Sequence, residues 1–107
     1  MKTKLILGTS IVLIACASYT LIAPTQADAD RAAQKYPGTT LADLNQGKDL
    51  FDQSCGKCHS KKKSFEVSEA ELLSVMPSMA KKSKLDKTKE DLVTKYLITM
   101  RPVQTVK

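Results

Sequence analysis

Two cysteines and the only histidine of the chain fall within five residues, Cys55-Gly56-Lys57-Cys58-His59. No other stretch restricts the fold as much, because two thiols and one imidazole tied to so short a piece of backbone have to serve one purpose together. The rest of the chain shows why such a point is needed. Its 107 residues allow one small domain. Residues 1–15, MKTKLILGTSIVLIA, set Lys2 and Lys4 ahead of an apolar run over 5–15. That is the pattern of an export signal, and it is too short to span a bilayer. A mature chain of about 80 to 90 residues struggles to bury enough apolar surface unaided. With no tryptophan, two phenylalanines and three tyrosines, aromatic packing does not make up the shortfall. A disulfide, a metal or a cofactor would.

The end of the leader decides location. Leu13, Ile14, Ala15 and Cys16 resemble a bacterial lipobox, in which the cysteine receives a diacylglycerol and becomes the mature N-terminus. Ordinary cleavage near TQADA, after Ala27 or Ala29, is the alternative. It requires an apolar core reaching Ala23, long against the usual range of about 7 to 15 residues. The lipobox reading makes the protein an exported lipoprotein of the periplasmic space or cell envelope. It divides the chain into a signal over 1–15, a linker over 16–40 and a domain over 41–107. The linker holds Pro24, Pro37 and Gly38 and lacks a sustained period. A short helix over DADRAAQK is compatible with it. As a flexible coil, the linker would let the domain swing roughly 25 to 30 Å from an acylated, membrane-anchored Cys16.

From Leu41 onward the pattern is helical, in three pieces. LADLNQGKDLFDQSC puts Leu41, Leu44 and Phe51 on one stripe with Leu50 beside it. SEAELLSVM opens with Ser68 and Glu71 at capping-box spacing. KTKEDLVTKYLITM gathers Leu92, Val93, Tyr96, Leu97 and Met100, with Asp86 or Thr88 as its cap and Arg101-Pro102 as its stop. No segment alternates with period two, and the domain is expected to be all-α.

C-x-x-C-H is the attachment signature of a c-type haem. Cys55 and Cys58 can bond covalently to two vinyl-derived positions on one porphyrin edge, and His59 is then held beneath the ring to give iron an imidazole nitrogen. Three other readings stand beside it. A structural zinc site needs four ligands, and Cys55, Cys58 and His59 make three. A thioredoxin-like pair requires a βα context. A plain disulfide suits an exported protein but leaves the histidine without a purpose.

With these residues in view, the chain resembles the small class I cytochromes c over residues 41–100, in particular the short periplasmic cytochromes that partner dehydrogenases. Gly47 and Phe51 stand as G-x-x-x-F, with Cys55 four residues on. The resemblance implies that Gly47 lets the N-terminal helix cross closely over the C-terminal one, with Tyr96 as the aromatic at the crossing. A domain of about three helices wrapped around one covalent haem is therefore expected. The candidates for a sixth iron ligand are Met76, Met79 and Met100. Met100 suits the core, and Met76 shares a face with Leu72 and Leu73. Met79 follows Pro77, in what reads as a loop, seven residues before Asp86, where the family carries its methionine. Met79 is the expected ligand and Met76 the alternative. The family's glycine-proline pair after the haem motif is missing from SKKKSFEV, residues 60–67.

Loss of Lys2 and Lys4 with the leader leaves fifteen basic residues against eleven acidic ones, a net charge of +4. Lys61, Lys62 and Lys63 follow the haem motif, and Lys81, Lys82 and Lys84 follow Met79. They are expected to rim the haem edge and steer an acidic-surfaced redox partner such as a dehydrogenase or terminal oxidase. Compartment and the lack of interleaved aromatics disfavour nucleic acid. The function expected is a monohaem electron carrier, in itself no enzyme. The alternatives are a five-coordinate gas sensor or small peroxidase, or a tethered subunit of a larger oxidoreductase. Leu44, Phe51, Leu72, Leu73, Leu85, Leu92, Tyr96 and Leu97 are the expected core.

Overall fold

In the computed structural model, residues 20–54 and 60–105 are described, and they form five helices with no strand among them. The helices are α1 (Gln26–Lys35), α2 (Leu41–Ser54), α3 (Ser60–Glu66), α4 (Glu69–Lys82) and α5 (Lys87–Gln104). The all-α expectation holds. The central element is α5, which packs against each of the other four.

Gly47 sets the closest approach. A Cβ built on it would collide with the Leu92 carbonyl oxygen and lie 2.9 Å from the Leu92 carbonyl carbon and 3.0 Å from Tyr96 Cβ. The α2 and α5 backbones therefore touch where only a hydrogen fits. Around the crossing, Phe51, Phe65, Leu72, Met76, Val93, Tyr96, Leu97, Ile98 and Met100 form one buried cluster.

Four expectations about local structure are corrected. First, residues 20–40 are not a linker, since they include α1 docked on α2 and α5. Thr25 and Asp28 form a reciprocal capping box, Asp28 Oδ2 accepting from Thr25 N–H at 2.8 Å. Ala29 and Ala32 are buried with Leu44. A ten-residue helix is marginal alone, and this tertiary docking supplies what so polar a segment cannot. Second, residues 60–66 are helical, and Phe65 buries itself between Phe51 and Tyr96, edge to face with both at centroid distances of 6.1 and 6.3 Å. Third, α4 runs straight through Pro77, so Met79 stands on a helix and not in a loop. Pro77 and Leu73, one turn apart, share the exposed side, where water can take the carbonyl that the missing N–H leaves unbonded. Fourth, α5 passes Pro102 and ends at Gln104.

Of the expected core, Leu44, Phe51, Leu72, Tyr96 and Leu97 are buried, while Leu85 and Leu92 are partly so. Leu73 is 44 % exposed. The buried face of α4 carries Leu72, Met76 and Ala80, at steps of four, and Leu73 is turned off it. Ser68 caps α4 as the spacing suggests, and of the two candidates for α5 it is Asp86 and not Thr88 that caps, each side chain accepting from the N–H three residues on.

The end of α4 is a Schellman turn, with Leu85 N–H donating to the Ala80 carbonyl at 2.8 Å and Lys84 N–H to the Lys81 carbonyl at 3.1 Å. It forces Lys84 to φ +59°, a position usually given to glycine. Lys84→Gly should raise stability by about 0.5 to 1 kcal/mol, visible as a higher urea midpoint at unchanged slope.

Burial would raise the Asp28 carboxyl, but hydrogen bonds from Thr25 and the Arg31 guanidinium at 3.0 Å outweigh it and hold its pKa below the ordinary value. A carboxyl lowered on folding adds stability that is complete above its unfolded pKa, about 3.9, and is lost as pH falls through the folded one. Asp28→Asn should therefore weaken the protein at neutral pH and lessen the loss of stability below about pH 4, which urea titrations across pH would register.

Candidate functional site

The C-x-x-C-H segment, Cys55, Gly56, Lys57, Cys58 and His59, lies outside the described residues, as does Cys16. Both flanks of the segment are described. Phe51, in the last turn of α2, and Lys63 and Ser64, in α3, line one cavity of about 500 Å³. Its other walls come from Val67, from Glu71, Leu72, Val75, Met76 and Met79, and from Val93 and Leu97 of α5. The size falls within the roughly 300 to 1,000 Å³ of ordinary cofactor and ligand sites.

The cavity follows from helix geometry. In α4, Leu72, Met76 and Met79 fall at steps of four and three and share one face. In α5, Val93 and Leu97 are one turn apart on the face opposite them. Two thioethers thus share a wall, Met76 5 % exposed and Met79 half-buried. Apolar side chains dominate the lining, and Lys63 and Glu71 bring one charge of each sign. Such a chamber suits a largely apolar group. Among the described residues no cluster of three or more His, Cys, Asp or Glu side chains could hold a metal ion by itself.

The two described flanks are tied together. Lys61 Nζ donates to Asp52 Oδ1 at 2.6 Å, and this bond holds the Asp52 carboxyl below its usual pKa. With its side chain only 14 % exposed, Lys61 closes the segment and is not free to greet a partner. Lys62 is exposed and stands 4.0 Å from Glu66. Lys63 reaches the cavity wall. Lys81 and Lys82 occupy the exposed last turn of α4, where positive charge complements the helix dipole, and Lys84 follows in the turn. The lysines are thus split between a closing staple, a cavity wall and a helix end.

Reading the sequence missed Phe65, Val67, Glu71 and Val75 as cavity or core residues. The signal was there for Phe65 and Val67, two apolar residues after a lysine run, but seven residues are too few to display a period. Arg101, expected only to help stop the last helix, donates to the Ser64 carbonyl at 3.1 Å and pins α3 to α5.

No family model, no curated protein and no solved structure matches the chain.

Proposed function

We propose that this protein is an exported monohaem c-type cytochrome that passes single electrons between redox partners outside the cytoplasm. One observation carries most weight: the largely apolar cavity with two thioethers of α4 on its wall also takes Phe51 from one flank of C-x-x-C-H and Lys63 and Ser64 from the other. Cys55 and Cys58 would hold the haem through thioether bonds, and His59 and Met79 would bind its iron, with Met76 as the alternative to Met79. The group supplies a one-electron ferric and ferrous couple when bound.

The chain's own part is to surround that couple. Phe51, Leu72, Val93 and Leu97 give the cavity an apolar wall, which would disfavour the more highly charged oxidised form of a group bound there. If His59 and a thioether from α4 both bound the iron, no position would be left for a substrate, which would suit electron transfer over bond-making. Helix α4 holds that sulfur on a packed element, so little reorganisation accompanies a change of charge. Lys63, Lys81, Lys82 and Lys84 set up a positive field that would attract an acidic partner and weaken with salt.

Mass spectrometry and the alkaline pyridine spectrum of the exported protein test the reading. One haem per chain, surviving denaturation, is the expected result, with loss of covalent attachment in the Cys55→Ser/Cys58→Ser double variant. A chain mass without haem, or one reduced by the two hydrogens of a disulfide, would overturn it.

A further inference from the structure

Residues 20–25 lie across the C-terminal half of α5 as a strap. The Gln104 side chain, 3 % exposed, clamps it from both sides of its amide. Its Oε1 accepts from Ile22 N–H at 2.9 Å and its Nε2 donates to the Thr20 carbonyl at 2.8 Å. Tyr96, the aromatic at the helix crossing, donates its hydroxyl to the Ile22 carbonyl at 3.0 Å. Leu21 and Ile22 pack on the main core, and Pro24 is buried. The strap leads into α1, whose Arg31 donates to the Thr99 carbonyl at 2.6 Å. Cleavage after Ala27 or Ala29 would discard the strap and the start of α1, and strip three hydrogen bonds from α5.

We infer that the chain is processed upstream of Thr20 and that the strap end of α5 is a membrane-facing surface, held against the lipid bilayer by an anchor at Cys16. The inference rests on the export and lipobox reading and is independent of the haem. Its force comes from two lengths. Cys16 precedes Thr20 by four residues, which reach at most about 14 Å when fully extended. Helix α5, with 18 residues, is about 27 Å long. A tether half as long as the domain's central helix cannot let the domain turn over. Val93 and Leu97 stand eleven and seven residues before Gln104, which sets the cavity about 10 to 16 Å farther from the anchored end. The cavity is thereby kept off the lipid.

Thr88 and Thr105 are exposed at opposite ends of α5 and report the orientation. A benzophenone side chain is placed at one or the other in the full chain, exported to the cell envelope, and lipid adducts are counted after irradiation. Position 105 should give roughly tenfold more adducts than position 88, and a 20-residue Gly/Ser insert between Tyr19 and Thr20 should bring the two within about twofold. Equal adducts without the insert would overturn the inference. So would a mature N-terminus at Asp28 or Asp30, or recovery of the protein in the soluble fraction. Haem measured on the same samples reports separately on the proposed function, since a haem-free chain with the expected adduct pattern sinks that reading and leaves this one standing.

Discussion

Gly47→Ala should lower the stability of the domain by about 2 to 3 kcal/mol, even though alanine is the better helix former by about 1 kcal/mol. The added methyl meets backbone, the Leu92 carbonyl, and not the tip of a side chain that could swing aside. Relief requires α2 to move off α5 along the most extensive helix contact in the domain, loosening Phe51, Phe65 and Tyr96 together. For a domain of this size the loss corresponds to a melting point lower by roughly 10 to 20 °C. Thermal unfolding followed by circular dichroism measures it. A variant within about 0.5 kcal/mol of the parent, the ordinary range for a surface change, would mean that the helices do not cross at this distance.

The two methionines of α4 should separate cleanly. Met76 is nearly inaccessible, and Met76→Ala should cost about 2 to 5 kcal/mol of stability by leaving a void against α5. Met79 is half-buried on the same wall, and Met79→Ala should cost about 1 kcal/mol, since less of its surface leaves water on folding. Ligation should follow the opposite order. The reduced haem-loaded Met79→Ala protein should bind carbon monoxide rapidly, whereas the parent and Met76→Ala should not. Binding by Met76→Ala alone would transfer the ligand role to Met76. Rapid binding by the parent would sink the electron-carrier reading in favour of a five-coordinate sensor or peroxidase.

How much of this was legible beforehand differs by element. The caps Ser68 and Asp86 and the stripes of α2 and α5 were legible because each is a local matter, a side chain reaching its own backbone or a period of 3.6 over three turns or more. Gly47 was legible only through resemblance, since a lone glycine in a helix reads otherwise as a defect. Met76 and Met79 stood out as candidate soft ligands from the chemistry of the thioether. Their sharing of one continuous helix wall did not, because the loop was inferred from Pro77 and a proline on a solvent face need not end a helix.

By itself, then, the sequence determined the helical class, the cap at Ser68 and the last helix's start within two residues, the clustering of two thiols and one imidazole, and the excess of lysine. All of these depend on neighbours along the chain. Tertiary structure alone decided that Ala29 and Ala32 would dock α1, that Phe65 would complete the aromatic cluster, and that Gln104 and Tyr96 would hold residues 20–25 as part of the domain. Each of those outcomes joins residues 12 or more positions apart in the chain. Short polar or alanine-rich segments carry too little pattern of their own to announce such a partner, and the energy that orders them comes from burying surface the partner supplies.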